Sequence, residues 1–167
     1  LIAELASTLR GLRARSDIQV IVLTGSGPAF CAGLDLSHLG SLSASDRVVY
    51  MRTAFALFEQ VHAMPQPMIA AINGPAVAGG FDLSVFCDLR ICVPSALFAQ
   101  PEVMLGATQF IYPLCTLIGL GRAKELAFTG ASISADEAYR IGLVNRLVAP
   151  EQLMDTAMAL ARTMASH

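Results

Sequence analysis

Positive charge is scarce in this sequence. Of its 167 residues, 11 are Lys or Arg, Lys124 is the only lysine, and the formal net charge is −2. A protein that binds nucleic acid regardless of sequence needs a basic surface that displaces counterions from the phosphates. We therefore expect no nucleic-acid partner.

Long apolar runs are also missing. Apolar residues make up 54% of the chain, but Gly, Pro or charged residues interrupt every stretch before the ~18 residues that a membrane-spanning helix needs. The sequence therefore predicts no membrane segment. Charged residues make up only 14%, against about a quarter in typical domains. A surface so poor in charge indicates either contacts between copies of the chain or a polar segment missing from this sequence.

The cysteines form no CxxC pair and lie in apolar surroundings. They are Cys31, Cys87, Cys92 and Cys115. Such cysteines are typical of small, buried hydrophobic side chains in a reducing compartment, which indicates a cytoplasmic protein without disulfides. His38 and His62 stand alone, and Asp35 with His38 makes only two potential ligands, so we expect no metal site.

Short apolar runs alternate with helical patterns along the chain. Helical periodicity covers residues 1–15, 45–62, 122–129, 134–141 and 150–165. Strand-like runs cover residues 18–24, 68–72, 89–93 and 143–148. This alternation predicts a single α/β domain over residues 1–167 with a largely parallel sheet.

Two segments place a glycine-rich turn between a buried strand and a helix. They read VLTGSGPAFCAGLDL at 22–36 and AAINGPAVAGGFDL at 70–83. Glycine lets a ligand approach main-chain N–H groups closely, and a helix N-terminus adds unpaired N–H donors. Either turn alone could be a simple connection, but two such ends aimed at one point would form an oxyanion hole.

Other glycine-rich sites do not fit these segments. GSGPAF has Phe30 where the dinucleotide-binding motif GxGxxG needs its third glycine. The chain contains neither the GK[ST] of a P-loop nor the GxSxG of a nucleophile elbow. A dinucleotide, a nucleoside triphosphate and a serine nucleophile are therefore disfavoured.

Four blocks in order resemble the enoyl-CoA hydratase/isomerase (crotonase) family. They are FCAGLDL at 30–36, NGPAVAGGFDLSVFCDLRI at 73–91, FAQPEVMLG at 98–106 and GLGRAKELAFTGASISADEAYRIGLVNRLV at 119–148. The resemblance implies a crotonase-like (ClpP/crotonase) fold, a spiral of β-β-α units with helices on mostly parallel sheets. It also implies a fragment that lacks the family's N-terminal strands and C-terminal helices.

The resemblance assigns roles to four positions. The N–H groups of Leu34 and Gly79 would form the oxyanion hole for a thioester carbonyl. Glu102 would move a proton at carbon, and Asp82, where hydratases usually carry Glu, would hold the attacking water. Asp82 in the first helical turn could instead act as a cap.

Neighbouring residues would contact the substrate. They are Ala32, Gly33, Asp35, Leu36, Gly80 and Pro101. For Asp35, helix capping is at least as good an interpretation. Asp88, in CDLR, is expected to pair or cap structurally.

The segment GATQFIYPLCTLIG (106–119) departs from the family pattern because bulky residues replace glycines. These residues, Phe110, Ile111, Tyr112 and Pro113, would narrow the acyl pocket or pack in the core. Dienoyl-CoA isomerases need Asp at the position of Phe110, so that activity is disfavoured.

The resemblance predicts a 2-enoyl-CoA hydratase. The alternatives are a Δ3,Δ2-enoyl-CoA isomerase that uses Glu102 alone, an acyl-CoA thioester hydrolase, or a non-catalytic acyl-CoA-binding protein. The implied partner is an acyl-CoA substrate with no separate cofactor or metal. A homotrimer or dimer of trimers is also implied.

Overall fold

The computed structural model describes residues 1–107 and 110–166. Within them, the α-helices are α1 Ile2–Arg13, α2 Leu36–Ser41, α3 Ala44–His62, α4 Gly79–Phe86, α5 Leu114–Ile118, α6 Leu120–Thr129, α7 Ala135–Arg140 and α8 Leu153–Ala165. The strands are β1 Ile21–Thr24, β2 Met68–Ile72, β3 Ala76–Val77, β4 Leu89–Cys92, β5 Leu97–Ala99, β6 Ser132–Ser134 and β7 Arg146–Leu147. Two short 3-10 helices cover Pro101–Leu105 and Pro150–Gln152.

The larger sheet is parallel throughout, in the order β1-β2-β4-β7. Every residue of β2 is buried, as expected for a central strand with helices on both faces. Met68, Ala70 and Ile72 point into the larger apolar core, while Ile69 and Ala71 pack toward α8 on the other face. The expected α/β fold with a mostly parallel sheet is confirmed.

The smaller sheet, β3-β5-β6, pairs β3 with β5 in parallel and β5 with β6 in antiparallel orientation. Strand β3 leads into α4, and β5 leads into the Pro101–Leu105 helix. Because the carboxyl ends of paired parallel strands lie at the same edge of a sheet, the segments that carry Asp82 and Glu102 emerge side by side.

Two expected strands are shorter than their apolar runs. The run at 18–24 pairs only from Ile21, because Pro67 lies just before the partner strand β2 and has no N–H to extend the ladder. The run at 143–148 pairs only at Arg146–Leu147, because the N–H groups of Leu143 and Val144 bond the carbonyl of Ala138.

Asp88 and Arg90 have structural roles as hydrogen-bonding residues, and the cysteines differ in burial. Asp88 accepts a hydrogen bond from the Met68 N–H at 2.7 Å, so its expected structural role is confirmed. Arg90, fully buried in β4, donates to the carbonyls of Cys87 and Leu143 at 2.7 Å each. The four cysteines are free, but only two of them are buried; Cys31 and Cys115 are half-buried, contrary to expectation.

Candidate active site

The two glycine-rich turns run alongside each other. The N–H of Phe30 bonds the Pro75 carbonyl at 3.0 Å, and the N–H of Val77 bonds the Cys31 carbonyl at 2.9 Å. Cys31 and Ala76 form an isolated parallel bridge. The first turn is thus held like a short strand beside β3, and the ends of both turns are brought together.

This close approach requires glycine. A Cβ on Gly80 would lie 2.0 Å from the Cys31 carbonyl oxygen, and one on Gly74 would lie 2.1 Å from the Pro28 carbonyl oxygen. Gly33 has a φ of +91°, and a Cβ there would lie 3.3 Å from the Gly79 nitrogen. The two turns therefore meet backbone to backbone at Gly33 and Gly79.

Asn73, directly after β2, holds the first glycine-rich turn through side-chain hydrogen bonds. Its Oδ1 accepts a hydrogen bond from the Gly25 N–H at 3.1 Å, and its Nδ2 donates to the Gly27 carbonyl at 2.9 Å. The sequence interpretation above does not give Asn73 this role. The available signal was a side chain with both donor and acceptor directly after a buried strand that neighbours the first turn.

The N–H groups of Leu34 and Gly79 lie on either side of this junction. Gly79 is the first residue of α4, where helical N–H groups have no partner within the helix. Within residues 1–107 and 110–166, neither N–H has an intramolecular acceptor. Both donors are therefore available to a substrate, although their action on one oxyanion stays a prediction.

Asp82 lies in the first turn of α4 with 5% of its surface exposed. Its Oδ1 accepts a hydrogen bond from Nε2 of Gln100 at 2.7 Å. The helix has no side-chain cap, and its N-cap position is taken by Ala78. Interpreting Asp82 as a capping residue is therefore wrong, because its carboxyl group is held by Gln100.

Gln100 is a site residue that sequence reasoning missed. It is 1% exposed, and its Nε2 also donates to the Phe110 carbonyl at 3.2 Å. It follows β5 and precedes Pro101 in the FAQPE motif. A lone amide between apolar strand residues and a candidate catalytic acid was the signal that could have identified it.

Glu102 sits in the 3-10 helix after β5 and is half-buried. Its Oε2 is buried and has no hydrogen-bond partner in the described part of the chain. A buried carboxyl oxygen without a hydrogen-bond partner destabilises the folded protein, so its presence favours a functional role. Glu102 is therefore an unsatisfied group, in contrast to the anchored Asp82.

Burial raises the pKa of both carboxyl groups. For Asp82 it raises the pKa to about 7; the hydrogen bond from Gln100 offsets part of this effect, and the charge of Glu102 adds to it. For Glu102, burial raises the pKa and a backbone hydrogen bond opposes the rise. A raised pKa lets a carboxyl group keep its proton at a higher pH than usual, which suits both groups to proton transfer.

The remaining predicted substrate residues are arranged around this centre. Asp35 is the N-cap of α2, where it accepts a hydrogen bond from the His38 N–H at 3.0 Å. Ala32 and Leu36 are exposed, and Pro101 begins the 3-10 helix. The capping role of Asp35 is thus confirmed, and contact between these residues and a substrate stays a prediction.

Two cavities meet at the junction of the turns. An open cavity of about 790 Å³ lies beside Gly33, Leu34 and Asp35, between the starts of α1 and α3. An apolar cavity of about 60 Å³ adjoins it and is lined by Gly33, Leu34, Gly79 and Phe58, among others. Neither is lined by Asp82 or Glu102, so the cavities reach the N–H donors and not the carboxyl pair.

The bulky residues of the segment at 106–119 differ in how deeply they are buried. Phe110 joins an aromatic cluster, Pro113 is buried and Ile111 packs against the larger core. Tyr112 is 55% exposed and contacts His62, so it does not pack in the core; whether it narrows the acyl pocket stays a prediction. Residues 108–109 of this segment lie outside the described residues.

Residues 1–107 and 110–166 contain no candidate metal centre, since no group of three or more His, Cys, Asp or Glu side chains there is arranged to hold a metal ion. No helix in the same ranges has the length and apolar character to cross a membrane.

Comparison with known proteins relates this geometry to a family. The chain is 39% identical to the short-chain-enoyl-CoA hydratase of Clostridium acetobutylicum over 156 residues, which are 91% of this chain and 60% of that protein. It is 41% identical to the crotonyl-CoA hydratase of Syntrophomonas wolfei over 148 residues, which are 86% of this chain and 57% of that protein. The chain thus spans about 60% of the length of such relatives.

Solved structures agree with the sequence comparison. The enoyl-CoA hydratase of Bacillus anthracis superposes with a TM-score of 0.95 at 38% identity, over 99% of this chain and 66% of that one. The expected crotonase-like fold is therefore confirmed. The sequence model of the family described as enoyl-CoA hydratase/isomerase matches residues 1–167. The chain belongs to the enoyl-CoA hydratase/isomerase family.

Proposed function

We propose that this chain carries the active site of a 2-enoyl-CoA hydratase. The observation that supports this most is the pair Asp82, which is buried, and Glu102, which is half-buried, both with raised pKa values. It is accompanied by the main-chain N–H groups of Leu34 and Gly79, which have no acceptor within residues 1–107 and 110–166. Acyl-CoA chemistry needs both parts, because a thioester must be polarised before a proton can be moved at its neighbouring carbons. A relative named short-chain-enoyl-CoA hydratase and another named crotonyl-CoA hydratase support the same reaction.

In the proposed mechanism, the thioester carbonyl oxygen accepts hydrogen bonds from the N–H groups of Leu34 and Gly79. Negative charge collects on this oxygen when a nucleophile adds at C3 and an enolate forms. Fixed donors stabilise that charge without reorganising, and removing one donor typically costs ~10²–10³ in rate. Leu34 acts through its main chain, so its side chain costs no hydrogen bond.

The two carboxyl groups would share the attacking water. Gln100 holds Oδ1 of Asp82, which leaves Oδ2 for the water. The hydroxide part of the water bonds to C3 of the substrate while the C2=C3 π bond breaks, and Glu102 supplies a proton to C2. The hydroxyl group keeps one proton of the water, and the other proton passes to Glu102 and replaces the one given to C2. The product is the 3-hydroxyacyl-CoA and the enzyme is unchanged.

One observation favours a second candidate, the Δ3,Δ2-enoyl-CoA isomerase. Asp82 is 5% exposed and tied to Gln100, and a carboxyl so enclosed could be a purely structural group. Glu102 would then remove a proton from C2 and return it to C4 of the same substrate. In that reaction no water is incorporated.

The test is incubation of the intact protein with crotonyl-CoA in H₂¹⁸O, followed by mass spectrometry. A hydratase produces 3-hydroxybutyryl-CoA that carries one ¹⁸O atom. Conversion of a 3-enoyl-CoA to the 2-enoyl form without any labelled hydroxyacyl product would replace our proposal with the isomerase. Labelled free acid would instead identify a thioester hydrolase, and no reaction with any acyl-CoA would identify a binding protein.

The proposal extends to the assembly and surroundings of the protein. We expect coenzyme A to enter only as part of the substrate, with no other cofactor. Large apolar side chains are exposed on the chain, among them Met104, Leu105 and Phe128, and this favours contacts between copies of the chain. The homotrimer or dimer of trimers that the family resemblance implies would be tested by light scattering. The free cysteines suit a reducing compartment such as the cytoplasm.

A further inference from the structure

Ala78 has a backbone conformation that residues with side chains rarely adopt. It is the residue before α4, with φ +54° and ψ −129°, and no other non-glycine in the described part of the chain has a positive φ. Glycine adopts such angles readily, whereas a residue with a Cβ does so at a cost in stability. Strain of this kind persists only where the surroundings enforce it, and it clusters at functional sites.

Both backbone polar groups of Ala78 are held by hydrogen bonds. Its N–H donates to the Ala99 carbonyl at 2.9 Å, and its carbonyl accepts from the Asp82 N–H at 3.1 Å. The Ala78 carbonyl and the Gly79 N–H belong to one planar trans peptide unit, in which they point in opposite directions. Because the carbonyl points into α4, the Gly79 N–H points out of the helix. The backbone of Ala78 thus sets the direction of one of the two donors.

The methyl group of Ala78 lies against the other glycine-rich turn. A Cβ built on Gly33 would lie 2.8 Å from the Cβ of Ala78 and 3.3 Å from the Gly79 nitrogen. The first distance is well below the contact distance of two carbon atoms, so the methyl group occupies the side of Gly33 where a side chain would begin. Gly33 shares a peptide unit with the Leu34 N–H, which is the second donor. One methyl group therefore restrains the two segments that carry the donors.

From these contacts we infer that Ala78 is a positioning residue for the oxyanion hole. Its constrained backbone and its methyl group hold the Leu34 and Gly79 N–H groups in place before the substrate binds. This inference rests on the proposed function, which assigns both donors to the thioester oxygen. Donors that are fixed in advance stabilise the enolate without reorganising, and this advantage is lost when the backbone can rotate.

The first test compares crotonyl-CoA hydration by the unmodified protein and by Ala78→Gly. Glycine relaxes the strained angles and removes the methyl group, so urea unfolding should show a variant that is no less stable. Its kcat should nevertheless fall about fivefold, which is less than the ~10²–10³ lost when a donor is removed. KM should stay within about twofold, because the charge on the oxygen develops only in the transition state. A purely structural role would not lower kcat while stability is retained.

The second test needs no turnover. Acetoacetyl-CoA has no C2=C3 double bond to hydrate, and it loses a proton from C2 to form an enolate whose ultraviolet absorbance differs from that of the keto form. Donors aimed at the thioester oxygen favour this enolate and lower the pH at which half of the bound ligand is enolate. In Ala78→Gly this half-enolate pH should rise by about 0.7 units, which is the same fivefold change on a logarithmic scale.

Two control variants separate the positioning effect from the substitution itself. Ala78→Ser keeps a Cβ at the position that contacts Gly33. Ala14→Gly makes the same chemical change as Ala78→Gly, but at an exposed residue with φ −83° that ends α1. Both controls should keep the kcat and the half-enolate pH of the unmodified protein.

The possible outcomes separate the inference from the function on which it rests. Unchanged kcat and half-enolate pH in Ala78→Gly would overturn the inference and leave the hydratase intact. A lower kcat with an unchanged half-enolate pH would also overturn it, because the loss would then arise away from the oxyanion. Failure of the unmodified protein to hydrate any 2-enoyl-CoA would overturn the proposed function instead, and the half-enolate pH would still decide the inference.

Discussion

Asp82 and Glu102 carry the same functional group in contrasting surroundings. Asp82 is on an α-helix, 5% exposed, and anchored by the amide of Gln100. Glu102 is on a short 3-10 helix, half-buried, with one carboxyl oxygen that has no partner in the described residues. An anchored carboxyl is suited to orienting a water, whereas an unpartnered one is free to give and take a proton. The contrast supports different roles for the two acids.

The largest effect is expected for the unpartnered acid. Glu102→Gln keeps the size of the side chain and removes its ability to transfer a proton. Because general acid–base groups contribute ~10²–10⁴, we expect kcat for crotonyl-CoA hydration to fall by about 10³. Steady-state kinetics measure the loss, and the unchanged melting temperature of the variant serves as the control for folding. A loss of less than threefold would remove Glu102 from the chemistry.

A smaller effect is expected when the anchor of Asp82 is removed. Gln100→Leu deletes the hydrogen bond that favours the ionised form of Asp82, so the pKa of Asp82 rises further above its ordinary value. We expect about a 10-fold decrease in kcat/KM and a shift of the acidic limb of its pH profile to higher pH. An unshifted profile would mean that Gln100 contributes only to packing.

The stability of the protein should depend on the charge of Asp82. Its folded pKa of about 7 lies above its ordinary value of 3.8, so the folded chain keeps a proton that the unfolded chain releases between these pH values. The free energy of unfolding therefore falls as pH rises through this window, by up to about 1.4 kcal/mol per pH unit, and levels off above it.

Asp82→Asn removes this titration while keeping the shape of the side chain. Urea unfolding at several pH values should give a variant whose stability changes less than that of the unmodified protein across the window. The gap in favour of the variant should widen toward pH 7. If both proteins show parallel pH dependence, Asp82 does not carry the raised pKa.

The smallest effect concerns Ala78, the residue before α4. It is the one non-glycine with positive φ in residues 1–107 and 110–166, at φ +54° and ψ −129°. Strain of this kind costs of the order of 1–3 kcal/mol, and glycine relieves part of it. Ala78→Gly should raise the free energy of unfolding by about 0.5–1 kcal/mol.

Gly80→Ala is expected to change the free energy of unfolding in the opposite direction. The added Cβ would collide with the Cys31 carbonyl oxygen, so this variant should be strongly destabilised.

Local sequence was sufficient for the parts of the molecule that depend on neighbours in the chain. The apolar run of β2 predicts a strand buried on both faces, and the strand is there at Met68–Ile72. Glycines at 74 and 80 indicate close backbone approach, and the carbonyls of Pro28 and Cys31 lie against them. Burial explains the apolar residues of β2, and lack of space for a Cβ explains the two glycines.

The parts that escaped prediction depend on partners distant in sequence. Gln100 reaches Asp82 across 18 residues, and Asn73 reaches Gly25 across 48. Strands β3, β5 and β6 have two or three residues each, too few for periodicity to reveal. The Phe58–Phe110 contact joins α3 to a loop, and no local pattern indicates such a contact.

The central claim is that Asp82 and Glu102 act together on water, and the most direct measurement is of Asp82→Asn. Its hydration of crotonyl-CoA and its isomerisation of a 3-enoyl-CoA should be measured on the same preparation. Our account predicts that hydration falls by about 10² or more while any proton shuttling by Glu102 persists. Full retention of crotonyl-CoA hydration by the variant would contradict it.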